Sequence, residues 1–163
     1  MRFLRHPRVQ WALAVGLGAI FVYASLDKIA HPADFARIIY HYRILGPNES
    51  MGPLPANLLA VTLPWVELLA GLLLISGAWR REAAAVVSGL LVTFIAAVAW
   101  ALFQGIDIEN CGCFSVSGEG RGAGIKLLLG DLGMLVASLI VARLGPRASE
   151  ESTPSLTTVR GPA

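Results

Sequence analysis

The only two cysteines of this 163-residue chain stand one glycine apart, in Ile108-Glu109-Asn110-Cys111-Gly112-Cys113-Phe114-Ser115. In an extended chain their Cα atoms would be about 7 Å apart, at the edge of what a disulfide tolerates. A turn at Gly112 shortens that distance. A bridge so close in sequence is strained and easily reduced, which is the property of exchanging disulfides rather than structural ones. It also closes almost no chain entropy, so a staple gains little. Thiol–disulfide exchange is therefore the chemistry expected of Cys111 and Cys113. The thiolate is the reactive form, and the nearby charge is mixed. Asp107, Glu109 and Glu119 oppose it, whereas Arg121 and Lys126 favour it. A metal site would need more ligands, which His31 and His41 of another loop could supply, but no metal is expected. The two histidines are also candidate proton donors or acceptors near the thiols.

A second group of residues is acidic and lies within apolar sequence. Glu67 stands near the middle of the run Ala56–Trp79, three residues after Pro64. A carboxylate at such a place costs about 2.5–3.5 kcal/mol on insertion scales, and a proline leaves a helix carbonyl without its donor. Ala60, Pro64, Glu67 and Gly71 share one helix face, so Glu67 should point between helices. There it either packs by hydrogen bonding or forms a polar site, such as a proton relay or ligand contact. Asp131 lies between Gly130 and Gly133 in the last apolar run. Asp27 and Lys28 close the first run. They read as an ordinary helix end or, together with Asp131, as part of a polar site in the outer half of a bundle. Gly133 and Ala137 form a small-residue pair suited to close helix packing.

The elements that must position these residues are set by hydropathy. Hydrophobic residues make up 55% of the chain and charged residues 15%, and the mean hydropathy is +0.64. Soluble domains carry roughly 25% charge, and a chain this small cannot hide so much apolar side chain from water. Lipid is the expected solvent. Four runs are long enough for a bilayer core of about 30 Å: roughly 9–26, 56–79, 83–104 and 125–142. The basic start and Val22-Tyr23-Ala24 also fit a signal peptide, but the run is long for one and three further spans follow. Trp11, Trp79 and Trp100 fall near run ends, as interfacial tryptophans do. Segment 33–45 is too short to span. Its Phe35, Ile38, Ile39 and Tyr42 recur at helical spacing, which predicts an amphipathic helix on the outer interface.

The fold class expected is all-α: a four-helix transmembrane bundle over 1–144, with that short interfacial helix. A disordered, Ser/Thr/Pro/Gly-rich cytoplasmic tail follows over 145–163. Eight lysines and arginines fall in the N-terminus, the turn after the second run and the tail, against five in the two long loops. The positive-inside rule then puts both termini in the cytoplasm and loops 27–55 and 105–124 outside. A net charge of +2 gives no reason to expect nucleic acid as a partner. The glycines at 118, 120, 122 and 124 follow no strand and so do not make a phosphate loop.

Several stretches resemble the DoxX/MauE group of small membrane proteins. These are Gly18-Ala19-Ile20-Phe21 through Leu26-Asp27-Lys28, then Pro32-Ala33-Asp34-Phe35, then Leu63-Pro64-Trp65-Val66-Glu67-Leu68-Leu69-Ala70-Gly71. Cys111-Gly112-Cys113-Phe114 resembles the outer loop of its methylamine-utilisation MauE branch. Ser115 stands where that branch suggests a glycine, and Gly130 where an arginine often precedes the Asp131 position. The resemblance covers roughly 15–140. It implies a four-helix protein of the bacterial inner membrane that helps mature a periplasmic, disulfide-containing enzyme subunit of the methylamine dehydrogenase kind. It also implies a periplasmic thioredoxin-like, MauD-like partner. The chain would then be a component of a thiol–disulfide relay. The alternatives are a small carrier, an anchoring or assembly subunit, or a DoxX-type quinone-linked oxidoreductase subunit. No cofactor is firmly implied, and a quinone stays open.

Overall fold

Long apolar runs with few β-breaking polar interruptions satisfy their backbone groups internally as helices, which lipid requires. A computed structural model describes residues 6–41, 54–105 and 124–145, and every element among them is helical. The helices are α1 (Pro7–Ala30), α2 (Pro32–His41), α3 (Leu54–Ser76), α4 (Arg80–Phe103) and α5 (Gly124–Leu144). Cys111, Cys113 and the tail beyond Gly145 lie outside the described residues. Among those described, α1, α3 and α4 are long and apolar enough to cross a membrane. Helix α5 has 21 residues and carries Lys126, Asp131 and Arg143 along its length.

Helix α1 packs on α3, α3 on α4, α4 on α5, and α5 returns to α1. The core between them mixes small and larger residues: Ala14 of α1, Ala70 of α3, and Ala83 and Ala84 of α4 alternate with Leu17, Phe21, Leu74, Val87, Leu91 and Val141. Small residues let helices approach without help from water exclusion. The closest approach joins Gly18 of α1 to Gly71 of α3. A Cβ on Gly18 would stand 2.6 Å from the Gly71 carbonyl oxygen, and one on Gly71 would stand 2.9 Å from that of Gly18.

The proposed small-residue contact of α5 is corrected by the structure. Gly133 is exposed and a Cβ there would meet nothing. The inward face of α5 carries Asp131, Ser138 and Val141, and the Ser138 hydroxyl lies 2.8 Å from that of Ser88 on α4. Each hydroxyl also reaches a carbonyl of its own helix, Leu135 O for Ser138 and Ala84 O for Ser88, so with one proton apiece one serine donates to its helix and the other to its partner's hydroxyl. A polar pair that satisfies itself is what joins α4 to α5 at this level, and a glycine displaced around the helix contributes nothing to it.

Neighbouring long helices run antiparallel. The turn Gly77–Trp79 reverses the chain between α3 and α4. Gly77 (φ 82°) and Trp79 (φ 53°) both adopt left-handed backbone there. Ser88 opposite Ser138, and Phe94 sharing a cleft with Asp131, give α4 and α5 the same antiparallel sense. The C-terminus of α1, the N-terminus of α3, the C-terminus of α4 and the N-terminus of α5 therefore share one end. Helix α2 packs there against α3. Phe35 and Ala36 are buried on Ala60 and Leu63, and the Tyr40 hydroxyl donates to Asn57 Oδ1 at 2.6 Å.

Candidate functional site

Two full charges meet inside this assembly. The Lys28 ammonium lies 2.8 and 2.7 Å from the two carboxylate oxygens of Glu67, and each side chain is 1% exposed. The geometry follows from helix direction. The Gly18–Gly71 contact sets the register of α1 on α3, and in that register Lys28 stands one to two turns, roughly 6–9 Å, nearer the α2 end than Glu67. Every Cα–Cβ bond tilts toward its own helix N-terminus. In an antiparallel pair, Lys28 therefore leans inward and Glu67 leans toward the α2 end, so the two heads converge. A lysine near a membrane helix end ordinarily extends its head toward water. Here it extends the other way.

Two aromatic rings complete the ammonium's surroundings. Lys28 Nζ stands 5.3 Å from the Phe35 ring centroid and 5.1 Å from that of Phe94, within cation–π range. Phe35 comes from α2 and Phe94 from α4, so four helices are linked through one charge. The cleft beside it is lined by Lys28 with Phe21 and Ala24 of α1, Glu67 of α3, Leu91 and Phe94 of α4, and Asp131 and Met134 of α5. Its cavity volume is about 10 Å³, room for about one water molecule. Asp131 is 1% exposed. One ammonium and two carboxyl groups thus share a single cleft that is otherwise apolar.

Of the residues singled out in the sequence, the structure brings Glu67 and Asp131 together. The face of Ala60, Pro64, Glu67 and Gly71 is buried along its whole length, and α3 continues through Pro64. Asp27 lies outside the cleft lining. Helix α1 runs on to Ala30, so Asp27 sits one turn from the end with its carboxylate 3.5 Å from His31 Nδ1. The same His31 nitrogen is 3.2 Å from the Asp27 carbonyl oxygen. His41 ends α2. Cys111 and Cys113 fall outside the described residues, but the chain leaves α4 and enters α5 at the α2 end. Lys28 is the residue that the sequence reading undervalued by treating it first as a helix end. The signal was its place two residues beyond the apolar run, on a helix whose side chains lean inward. Phe35 and Phe94 carried no comparable signal, because separate helices supply them.

A basic residue and two acids that share one buried cleft are the geometry to set beside known proteins. The family model of the methylamine utilisation protein MauE matches residues 7–144. The methylamine utilization protein MauE of Paracoccus denitrificans is 32% identical over 146 residues, which is 90% of this chain and 75% of that protein. No solved structure matches. The matched region starts on the first residue of α1 and stops on the last of α5, and the chain accordingly belongs to the methylamine utilisation protein MauE family.

Proposed function

We propose that this chain is a membrane component of a periplasmic thiol–disulfide relay that serves the maturation of a disulfide-containing redox protein. The observation that carries the reading is the Cys111-Gly112-Cys113 pair, the chain's only cysteines, in a member of a methylamine-utilisation family. In this reading α5 is a fourth span, both termini lie in the cytoplasm, and the α2 end faces the periplasm of a bacterial inner membrane. The eight-to-five split of lysine and arginine supports that orientation. It would put the cysteines in the compartment where disulfides persist.

The exchange itself balances simply. A thiolate attacks one sulfur of a disulfide, a mixed disulfide forms, and the neighbouring thiol resolves it. Two electrons and two protons pass from the dithiol that becomes oxidised to the disulfide that becomes reduced. A thioredoxin-like, MauD-like protein is the proposed partner and a methylamine dehydrogenase-like protein the proposed client. The experiment is trapping. Cys111→Ser or Cys113→Ser should accumulate a reductant-sensitive adduct with the partner, visible on non-reducing gels and identified by mass spectrometry. The double variant should insert normally and fail to support the client. Full function in the double variant overturns the relay. The Lys28–Glu67–Asp131 cleft favours a second reading for that case, a small carrier or an anchoring subunit whose contacts are made inside the membrane.

A further inference from the structure

The end of the bundle away from α2 gathers positive charge. The start of α1, the turn between α3 and α4 and the last turn of α5 bring Arg8, Arg80, Arg81 and Arg143 there. Glu82 is the one acid among the described residues of that end, and it is exposed. Among the described residues, no carboxylate pairs with any of the four arginines. Arg8 and Arg143 are exposed, whereas Arg80 faces inward. It opens α4 one turn before Ala84, on the buried row that continues to Ser88 and Leu91. Its Nε is buried and has no acceptor in the protein. A guanidinium keeps its charge and offers five N–H donors in a fixed fork, and a buried donor left unanswered is costly. The inward row of α1 also ends in a polar residue at this end: Gln10, one turn before Ala14, is 3% exposed. Trp11 and Trp79 stand beside Arg8 and Arg80 in the sequence and are exposed. Exposed tryptophans of membrane helices sit at the level of the lipid headgroups, so the arginines lie at phosphate depth. Helix α4 begins there without a side-chain cap, because Trp79 occupies its N-cap. Its first N–H groups therefore face the same level.

We propose that Arg80, with Arg81 and the uncapped first turn of α4, holds the phosphate of one anionic phospholipid of the phosphatidylglycerol kind. The Arg80 fork and the first-turn N–H groups donate to phosphate oxygens, and the start of a helix favours the negative charge. The helices on the lipid side of the site present apolar residues, Val86 and Val92 of α4 among them, which gives the acyl chains a surface that a free phosphate would not use. Unpaired guanidinium groups attract a headgroup with net negative charge. A choline headgroup brings its own cation and gains less. The site stands at the opposite end of the bundle from the α2 end and involves no cysteine. Its failure and the failure of the relay reading are therefore separate results.

The test is native mass spectrometry of the full chain in a nonionic detergent, with equimolar phosphatidylglycerol and phosphatidylcholine of identical acyl chains. The wild-type chain should retain one phosphatidylglycerol in preference to phosphatidylcholine by about tenfold, the scale of a charge-assisted hydrogen bond. Arg80→Gln should bring the two lipids to near-equal retention. Arg37→Gln removes the same charge from the exposed face of α2 and should keep the wild-type preference. Inorganic phosphate in large excess should not displace the lipid. Equal retention of the two lipids by the wild type overturns the proposal, and that result is read without any variant, so it stands even if Arg80→Gln does not fold. A preference that survives Arg80→Gln overturns it as well, because the lipid then sits elsewhere. Equal losses in Arg80→Gln and Arg37→Gln overturn it in favour of diffuse surface charge, and displacement by phosphate overturns it in favour of a free anion.

Discussion

Removing Lys28 should cost far more than removing its partner, and the difference can be worked from the cleft. With nitrogen and oxygen 2.7–2.8 Å apart, the charges attract by roughly 5–6 kcal/mol at an effective dielectric constant of about 20. Desolvation of the two ions returns several kcal/mol of this, which leaves a coupling of about 2–3 kcal/mol. Lys28→Met strands the buried Glu67 carboxylate without its ammonium. Loss of one partner of a buried pair costs about 3–5 kcal/mol. Glu67→Gln leaves Asp131 in the same cleft as a counter-charge, so its cost should be about 1–2 kcal/mol, with a membrane hydrogen bond of roughly 0.6 kcal/mol retained. The double variant should be no worse than Glu67→Gln alone by more than about 1 kcal/mol. The assay is reversible unfolding in mixed micelles, followed by circular dichroism, for the two single variants and the double. If the single costs add to within about 0.5 kcal/mol, Lys28 and Glu67 act independently and do not form a coupled pair.

Two further predictions test how the site is held. Gly18→Ala places a Cβ 2.6 Å from the Gly71 carbonyl oxygen, so α1 and α3 must separate by several tenths of an ångström at a cost of about 1–3 kcal/mol. Gly133→Ala, with open space around it, should be neutral in the same unfolding assay, and equal effects at the two positions would discredit the packing. Phe35→Ala removes the ring from Lys28 and from α3, and large-to-small changes of this kind cost about 3–5 kcal/mol. Its loss should fall on α2, because α2 rests mainly on α3. Hydrogen exchange should then accelerate across Pro32–His41 while α3 and α4 keep their protection, and an unchanged α2 would show that the ring does not hold it.

The sequence by itself determined that this chain is helical and lipid-embedded, because run length and hydropathy follow directly from bilayer thickness. It determined the inward face of α3 as well. A carboxyl group in an apolar run can only turn toward other helices, and Ala60, Pro64 and Gly71 lie on that same stripe. Helical spacing likewise placed a short helix after α1, and it runs over Pro32–His41. The ion pair was decided by tertiary structure alone. Lys28 and Glu67 are 39 residues apart, and no local pattern relates them. What relates them is the Gly18–Gly71 contact, which fixes a register, and the tilt of side chains in antiparallel helices, which turns that register into a meeting point. The same holds for Gly133. Its spacing from Ala137 suited a helix contact, but the rotation of α5 about its axis gave the contact to Ser138, because two hydroxyl groups in an apolar setting gain by finding each other. Asp27 and Lys28 are neighbours in sequence yet differ by about 100° around α1. That rotation alone sends one to His31 at the helix end and the other into the cleft.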